Sequence, residues 1–389
     1  MNSPLSSHLA ILTTGRQDWG ILRTLARRLG SDSAFRISIL AGGMACDDRF
    51  GNLAGRLEKE VGESLTRIPW KIQLDDHADK SREAAAALAG VGAALAKLRP
   101  DAIILVGDRF ETLAAATAAV IQRVPIVHLH GGEETEGAFD NYFRHAISKL
   151  SSLHFVSHPK HCDRLLRMGE DPASVFVVGA PGIDNLYRTD LPTPDSVLKN
   201  LGLPPSPTEP LFLVTYHPPT QGGDPKREID GLLTAVGKIP SVCVFTLPND
   251  DPGNVYIRQA MTAFAKADPA HRVAVPALGE DRYWSLLKRA DAVLGNSSSG
   301  LVEAPAVPVP VINLGRRQQG RETAPCVVNV PESEPKTLAA ALAHCLDLAF
   351  RQGLSANDAP YGRGNSSQQI HDILRGIDWQ DLPPKKFHE

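Results

Sequence analysis

The stretch DAIILVGDRFETLAAATAAVIQRVPIVHLH, residues 101–130, decides the fold of this protein. An apolar run leads through the polar turn GDR into an alanine-rich segment of helical length, and a second apolar run, PIVHLH, follows. A buried strand, a helix and another buried strand in this order form a βαβ unit, in which the two strands are parallel. The stretch therefore predicts a parallel sheet covered by helices.

The same alternation extends in both directions along the chain. Upstream lie the apolar runs HLAILTT and FRISIL, and downstream lie LHFVS and SVFVVG. Residues 189–210 carry six prolines and few apolar side chains, which indicates a linker. After it the pattern restarts with LFLVTY, VCVFTL, HRVAVP, DAVLG and VPVINL.

The sequence thus predicts an α/β protein with two Rossmann-like, doubly wound domains. The first is expected at 1–188 and the second at 211–365, with the linker at 189–210 between them. Residues 366–389 are expected to form a C-terminal helix and tail, which could pack back on the first domain. Two such domains would face each other across a cleft lined by the carboxyl ends of both sheets.

Composition excludes several classes of partner. The chain has 389 residues, more than one ordinary core, and 42% are hydrophobic. A net charge of -3 argues against nucleic acid and against acidic membrane surfaces.

The five cysteines form no CxxC pair, so neither a zinc site nor a redox dithiol is indicated. The N-terminus lacks a basic region before its short apolar run, and no stretch is long enough to cross a bilayer, so we expect a cytoplasmic protein.

Two polar motifs follow strands of the first predicted domain. TTGRQDWG (13–20) opens the first helix, where backbone N–H groups favour an anion, and Arg16 is either a phosphate ligand or a solvated loop residue. The motif is not the GxGxxG fingerprint, so an NAD site has little support. In GDRFET (107–112), Asp108 is either a helix N-cap or an acid or base, and Arg109 could counter phosphate charge.

A third motif, HLHGGEETEGAFDNYFRHAISKL (128–150), crowds carboxylates and imidazoles around a Gly-Gly pair. Neighbouring carboxylates raise one another's pKa values, so that one can act as an acid while another acts as a base. The loop as a whole is therefore suited to proton transfer, and its carboxyl groups and imidazoles are Glu133, Glu134, Glu136, Asp140, His128, His130 and His145. Glu134 and Glu136 are interpreted as loop-surface or capping groups, while both a structural ion pair or cap and catalysis stay open for Arg144 and His145.

The second predicted domain carries three more strand-end loops. In GNSSSGLVEAP (295–305), serine hydroxyls and approachable amides suit a diphosphate, and Glu303, one to two turns into the following helix, could accept hydrogen bonds from a ribose. VTYHPPT (214–220) places His217 just past a strand, and TLPNDDPG (246–253) places Asn249 likewise. A single histidine after a strand is more often structural, but polar residues recur in five such loops.

Taken together, these motifs resemble the hydrolysing UDP-N-acetylglucosamine 2-epimerases, including the relatives that act on UDP-N,N'-diacetylbacillosamine. The resemblance covers essentially the whole chain and is also carried by VGAPGIDN and GRRQQGR. It implies a glycosyltransferase-B-like pair of domains that closes over a UDP-sugar without a metal or other cofactor. It also implies a homodimer.

The resemblance assigns roles to individual residues. The diphosphate would be held by Arg16, Arg109, Ser297, Ser298 and Arg317, the ribose by Glu303, and Asn249 and His217 would lie near the diphosphate and sugar. Asp108 and Asp140 would be catalytic carboxylates, with Glu133 as the matching third member and His130 and His217 as assistants. The chain departs from the pattern in three places: His130 stands where relatives have a glutamate, the loop is one residue longer, and Asn141 replaces a second aspartate of some relatives.

The implied chemistry accounts for so many acids and bases in one loop. Removal of the weakly acidic proton at C2 needs a base, and loss of UDP from C1 needs charge stabilisation; water then adds to the resulting glycal. Alternatives are a non-hydrolysing 2-epimerase, a glycosyltransferase of the same architecture, and a nucleotide-sugar sensor. HGGE with TEG resembles the bacterial branch of bacillosamine-type and legionaminic acid pathways. The sequence leaves open the sugar, the choice of uracil or guanine, and which carboxylate is the acid.

Overall fold

The computed structural model describes residues 6–72, 77–134, 140–219, 224–248, 253–383 and 385–389, apart from the side chains of 77–79. The chain divides into two compact units. The first takes the described residues up to Glu133, those from 140 to Asp184, and those from Asn365 onward. The second takes Asn185–Gly364 together with residue 134.

The first unit is built on a parallel sheet with helices on its faces. Its strands are β1 (Ser7–Thr13), β2 (Phe35–Gly42), β3 (Leu65–Ile68), β4 (Ala102–Val106), β5 (Ile126–Leu129), β6 (Leu153–Val156) and β7 (Val175–Val177). Its helices are α1 (Arg16–Ser31), α2 (Leu53–Val61), α3 (His77–Leu98), α4 (Phe110–Ile121), α5 (Asp140–Leu150), α6 (Pro159–Arg167) and, from the end of the chain, α14 (Ser366–Arg375).

The second unit repeats this plan. Its strands are β8 (Leu211–Thr215), β9 (Val242–Thr246), β10 (Arg272–Val275), β11 (Ala292–Gly295), β12 (Val311–Leu314) and β13 (Val327–Val330). Its helices are α7 (Pro194–Asn200), α8 (Pro225–Val236), α9 (Asn254–Lys266), α10 (Glu280–Leu287), α11 (Ser299–Val302), α12 (Pro335–Leu346) and α13 (Leu348–Gln352).

Strand order confirms the predicted pair of doubly wound domains. Among the described residues, the first sheet has seven strands in the order β3-β2-β1-β4-β5-β6-β7, and the second has six in the order β10-β9-β8-β11-β12-β13. In both sheets the order reverses beside the first strand, between β1 and β4 and between β8 and β11. Ligands of such sheets bind outside the carboxyl ends of the strands at this switch point.

Burial on both faces explains the unbroken apolar runs of the central strands. Along β1, Leu9 and Ile11 pack with α1 and α14 on one face, whereas Ala10 and Leu12 pack with α3 and α4 on the other. All five residues of β4 are buried. Alternate side chains point to opposite faces, so a strand covered on both sides is apolar at every position.

The structure adds two strands that the sequence did not predict, β3 and β13. Each lies at an edge of its sheet and is only half-buried. Residues 189–210, expected to be a linker, contain α7, whose Val197 and Leu198 are buried. The domain boundaries stay a prediction.

The C-terminal segment belongs to the first unit in this structure. The Asp184 carboxylate accepts hydrogen bonds from the backbone N–H groups of Ser366 (3.0 Å) and Ser367 (2.6 Å), at the start of α14. These contacts satisfy N–H groups that have no partner within the helix. Across the described ranges, no helix is both long enough and apolar enough to cross a membrane.

Candidate active site

The loop between β1 and α1 lies at the switch point of the first sheet. The buried Asp18 carboxylate accepts hydrogen bonds from the backbone N–H (2.7 Å) and the hydroxyl (2.6 Å) of Thr14. Burial raises the pKa of Asp18, while these hydrogen bonds and the Arg109 guanidinium act in the opposite direction. Arg16 is the first residue of α1 and is exposed, so it is accessible to an anion at this edge.

Arg109, on the neighbouring loop after β4, is held by a carboxylate. Its Nη2 donates to Glu111 Oε1 at 2.9 Å and its Nε donates to Oε2 at 3.2 Å. Burial alone would lower the pKa of Arg109, but Glu111, Asp18 and Asp140 raise it above its usual value. The guanidinium is therefore charged, oriented and 36% exposed.

Asp108 does not cap the following helix. Residue 109 occupies the cap position of α4 without a side-chain hydrogen bond, so the capping interpretation of Asp108 is wrong. The Asp108 carboxylate instead accepts a hydrogen bond from Nη2 of Arg144, on α5. Its side chain remains 26% exposed, which leaves the carboxylate accessible for chemistry.

Arg144 joins two of the candidate loops. Its side chain is 1% exposed, and besides Asp108 it reaches the Glu133 carbonyl oxygen at 2.9 Å and Asn141 Oδ1 at 2.6 Å. A buried guanidinium needs acceptors for its donors, and these three groups supply them. The structure confirms that Arg144 forms a structural ion pair, which was one of its predicted roles. Its partner is Asp108, a predicted catalytic carboxylate, which the ion pair holds in place.

Glu133 is the centre of a second hydrogen-bonded group in the same loop. The residue is 6% exposed, and its Oε1 accepts from His130 Nδ1 at 2.7 Å and from the Ser157 hydroxyl at 2.7 Å. Nδ1 of His161 lies 3.1 Å from the Ser157 oxygen. Burial lowers the pKa of His161 to about 4, so its imidazole is neutral near pH 7.

The Gly-Gly pair allows this loop to pack closely. A Cβ on Gly132, whose φ is +71°, would lie 2.4 Å from the His161 carbonyl oxygen. A Cβ on Gly131 would lie 2.9 Å from His128 Nδ1. A side chain at Gly132 would push the Glu133 loop away from α6, and its positive φ also favours glycine, whereas a side chain at Gly131 would clash with His128.

Three further polar residues of this motif are His128, Asp140 and Glu136, and the two that the structure describes lie in different surroundings. His128 Nε2 lies 2.8 Å from the Gly107 carbonyl oxygen, and burial lowers the pKa of His128 to about 3, so its role is structural. Asp140 is the first residue of α5 and lies close enough to Arg109 to raise its pKa. Glu136 lies outside the described residues.

In the second unit, Asn296 fixes the loop that carries His217. The buried Asn296 side chain accepts from the His217 backbone N–H at 2.7 Å and donates to its carbonyl at 2.8 Å. Burial, with the nearby Arg317 charge, lowers the pKa of His217 to about 3. Arg317 Nη1 in turn donates to the Asn296 carbonyl at 3.3 Å, so the predicted residues His217 and Arg317 share one framework.

The serine loop follows β11 as predicted. Ser297 is partly buried and Ser298 is exposed at the cap position of α11. The sequence predicts Glu303 one to two turns into a helix, but α11 ends at Val302 and Glu303 is its C-terminal cap residue. A separate 3₁₀ turn, Ala304–Ala306, follows, and its Pro305 has no N–H to continue the α-helix.

Glu303 is engaged within its own unit. Oε1 accepts from Trp284 Nε1 at 3.1 Å, and Oε2 accepts from the Ser299 hydroxyl. Burial raises the pKa of Glu303. Asn249, the remaining predicted ligand, lies outside the described residues.

The structure therefore brings together Asp108, Glu133 and His130 in the first unit, and His217 with Arg317 in the second. Sequence reasoning missed Ser157 and His161. They follow β6, which pairs with β5, so the strand-end argument used for the other loops could have found them. In the described part of the chain, no group of three or more His, Cys, Asp or Glu residues is placed to hold a metal ion.

Comparison with known proteins agrees with this architecture. A UDP-N,N'-diacetylbacillosamine 2-epimerase (hydrolyzing) from Legionella pneumophila is 32% identical over 369 residues, 94% of this chain and 95% of that protein. A GDP/UDP-N,N'-diacetylbacillosamine 2-epimerase (hydrolyzing) from Campylobacter jejuni is 33% identical over 315 residues, 80% of this chain and 81% of that protein.

The fold is also found in solved structures. The UDP-GlcNAc 2-epimerase of Neisseria meningitidis superposes with a TM-score of 0.77 at 17% identity, covering 94% of this chain and 99% of that one. The sequence model of the family described as UDP-N-acetylglucosamine 2-epimerase matches residues 27–375. The chain belongs to the UDP-N-acetylglucosamine 2-epimerase family.

Proposed function

We propose that this protein is a hydrolysing 2-epimerase, which converts a UDP-2-acetamido sugar and water into UDP and the free 2-epimer. The observation that carries the proposal is the group formed by Asp108, Arg144, Glu133 and His130. One buried arginine and one histidine hold two carboxylates from neighbouring loops. Family membership, with two relatives above 30% identity that are named as hydrolysing, supports the same reaction.

The reaction breaks and forms a defined set of bonds. A base removes the C2 proton, the bond from C1 to the UDP oxygen breaks, and a C1=C2 double bond forms. Water then supplies OH to C1, and a proton returns to C2 from the opposite face. Asp108, Glu133 and Asp140 are the proposed acid and base groups, with His130 assisting, since each step needs a positioned proton donor or acceptor.

Departure of UDP places negative charge on the diphosphate. Positive groups and serine hydroxyls at this position stabilise that charge. Proposed ligands of the diphosphate are Arg16, Arg109, Arg317, Ser297 and Ser298. His217, whose pKa is lowered to about 3 by burial, is neutral near pH 7 and can offer one hydrogen bond without adding charge. Glu303 is the proposed ligand of the ribose, with Asn249 near the diphosphate and sugar.

UDP-N,N'-diacetylbacillosamine is the first substrate to test. The two relatives described above carry that sugar in their names, and the solved Neisseria enzyme was bound to UDP-GlcNAc. The product would then be a 2,4-diacetamido-trideoxymannose for a nonulosonic acid pathway of the legionaminic type. UDP-GlcNAc, giving ManNAc, is the alternative substrate, and the Campylobacter name makes GDP a nucleotide to compare.

The test is proton NMR in deuterated water, with each UDP-sugar in its own tube and no added metal or NAD. Free UDP together with a deuterium-labelled manno sugar supports the proposal, and the faster tube identifies the substrate. Deuterium exchange with UDP still attached indicates a non-hydrolysing epimerase. No change in any tube refutes the proposal and favours a glycosyltransferase or a binding protein.

A pair of variants links turnover to the proposed site. Asp108→Asn should keep nucleotide binding and lose about a hundredfold or more in kcat, since general acid or base catalysis contributes about 10²–10⁴-fold. Asp163→Asn, at an exposed position of α6, is the matched control and should leave kcat unchanged. A loss below about tenfold in Asp108→Asn removes Asp108 from the acid and base set.

We also propose that the enzyme acts as a cytoplasmic homodimer and binds no nucleic acid. The resemblance to the epimerases supports the dimer, and the net charge of -3 supports the lack of nucleic-acid binding. Size-exclusion chromatography with light scattering tests the assembly, because a dimer has twice the mass of one chain. A mass of one chain at micromolar concentration excludes it.

A further inference from the structure

Two side chains outside the proposed acid and base set connect to Glu133: Ser157 contacts it directly, and His161 contacts Ser157. Ser157 follows β6, and His161 lies on α6. Both residues are buried, at 3% and 5% exposure. The Ser157 hydroxyl lies 2.7 Å from Glu133 Oε1 and 3.1 Å from His161 Nδ1, so it stands between the two.

The chemistry of the serine hydroxyl sets the direction of this chain of hydrogen bonds. A hydroxyl has one hydrogen, and when Ser157 donates it to an ionised Glu133, the remaining contact requires Nδ1–H of His161 to donate to Ser157. A neutral imidazole carries one N–H, and burial keeps His161 neutral near pH 7. The hydrogen bonds then run from His161 through Ser157 to the carboxylate.

The same three groups can accommodate a protonated Glu133. The carboxylic acid O–H then donates to the Ser157 oxygen, and the serine hydrogen turns toward Nδ1 of His161. His161 must now accept at Nδ1, so its hydrogen lies on Nε2. In both arrangements each of these buried polar groups keeps a hydrogen-bond partner. This matters because a buried polar group without a partner is destabilising.

We propose that Ser157 and His161 are positioning residues of the epimerisation reaction, which orient Glu133 and set the pH at which it gains or loses its proton. The inference rests on the proposed function, because it assumes that Glu133 exchanges protons during turnover. Neither residue is proposed to contact the sugar.

His130 completes the setting of Glu133. Its Nδ1 lies 2.7 Å from the same Oε1 that Ser157 reaches, so one carboxylate oxygen receives two donors. His130 has a φ of +63°, a conformation that is uncommon for residues other than glycine. The loop backbone thus adopts an unfavourable conformation where the imidazole meets the carboxylate.

Other charged groups around Glu133 act on the same equilibrium. Arg144 donates to the Glu133 carbonyl and pairs with Asp108, and Arg164, on α6, donates to the Gly132 carbonyl. The titratable and charged groups next to this loop are His128, His130, His158, His161, Asp108, Arg144 and Arg164. The Ser157 and His161 variants described next leave all of these groups unchanged, apart from His161 where it is itself replaced.

The test is the pH profile of kcat/KM. Ser157→Ala removes a hydroxyl that donates to the carboxylate, so ionisation of Glu133 becomes less favourable. The limb of the profile that Glu133 controls should move to higher pH by about one unit, given the usual strength of hydrogen bonds to charged groups. The other limb should stay in place, which a general loss of folding would not produce.

Variants at His161 separate positioning from packing. His161→Phe fills the space without a donor and should shift the same limb in the same direction. His161→Asn keeps an N–H near the Nδ1 position and should restore the wild-type profile in large part. An unshifted limb in both Ser157→Ala and His161→Phe, with folding intact, overturns the proposal.

Ser38→Ala is the matched control. Ser38 on β2 lies 2.8 Å from His8 Nε2, so the first unit contains a second Ser–His hydrogen bond away from the carboxyl ends of the strands. Removing it should lower stability without moving either limb of the pH profile. A shift in Ser38→Ala equal to that in Ser157→Ala would mean that the effect is not specific to Glu133.

NMR of ¹⁵N-histidine-labelled protein tests the inference without turnover. His161 should carry its hydrogen on Nδ1 near pH 7.5, and Ser157→Ala, which removes the oxygen that accepts this hydrogen, should change the tautomer. A His161 that keeps its hydrogen on Nε2 at all pH values overturns the inference. Failure of the proposed function is seen separately, as absence of turnover on every nucleotide sugar while this tautomer change persists.

Discussion

Replacing Arg144 with methionine removes the side chain that joins the Asp108 and Glu133 loops. Arg144 is 1% exposed and donates to the Asp108 carboxylate, the Glu133 carbonyl and Asn141 Oδ1. Methionine approximates the aliphatic stem of arginine and adapts to irregular space, so the main loss is that of the hydrogen bonds.

The structure gives the size of the expected effect. A hydrogen bond to a charged group contributes about 1.5–3 kcal/mol, and a neutral one contributes about 0.5–1.5 kcal/mol. Asp108 is 26% exposed and can be hydrated when its partner is lost, which reduces its share. We therefore expect Arg144→Met to lower the free energy of unfolding by about 3 kcal/mol.

Urea unfolding followed by tryptophan fluorescence measures this loss. Three of the four tryptophans, Trp19, Trp70 and Trp379, belong to the first unit, so the signal reports mainly on the unit that contains Arg144. A loss of about 3 kcal/mol should shift the midpoint by roughly 1 M or more. Arg56→Met, at an exposed position of α2, is the control and should stay within about 0.5 kcal/mol of wild type.

Kinetics complete the test of Arg144. Because Asp108 loses the group that orients it, kcat should fall by about a hundredfold, with a smaller change in KM. Arg144→Lys keeps the charge but cannot reach all three acceptors in the same way, so it should be intermediate. An Arg144→Met enzyme as stable as the Arg56→Met control would refute the reasoning, whatever its activity.

Three further predictions concern other parts of the chain. Burial alone would raise the pKa of Glu170, but hydrogen bonds from His154, Lys149 and Lys385 lower it to about 2 from its usual 4.5. The stability that the ionised Glu170 contributes is therefore complete above about pH 4.5 and is lost as the pH falls toward 2. The melting temperatures of wild type and Glu170→Gln should differ at neutral pH and converge near pH 2. Gly295→Ala, at a φ of +127° and with its Cβ 2.0 Å from the Thr215 carbonyl oxygen, should lower the free energy of unfolding by about 2 kcal/mol or more in urea unfolding. Asn296→Ala should reduce kcat/KM by about tenfold or more, since the His217 loop loses two hydrogen bonds, and unchanged steady-state kinetics would contradict this.

Most of the fold was predictable because burial leaves a direct mark on the sequence. β4 is covered on both faces and has no polar residue, so AIILV indicates a central strand by itself. The edge strands β3 (LTRI) and β13 (VVNV) were missed, because a half-buried edge tolerates polar side chains and its apolar run is short.

The candidate site was predictable only in part. Loops after parallel strands gather at one edge of the sheet, which is why the loops of Asp108 and His130 could be selected from their positions, whereas the roles of these two residues were predicted from the resemblance to the epimerases. The pairing of Arg144 with Asp108 joins residues 36 positions apart, and that of Ser157 with Glu133 joins residues 24 apart. Such contacts depend on strand order and on side-chain direction, which local patterns do not encode.

The sequence by itself determined the central strands and the helices between them, the parallel sheets that these strands form and the loops that carry the candidate site. These features follow from local propensity and from the periodicity of burial, which each segment expresses independently. Only the tertiary structure decided which polar groups meet: that Arg144 binds Asp108 instead of water, and that Glu133 is held through Ser157 by His161. The physical reason is that a buried polar side chain must find partners, and its partners are set by the packing of β4, β5 and β6 side by side.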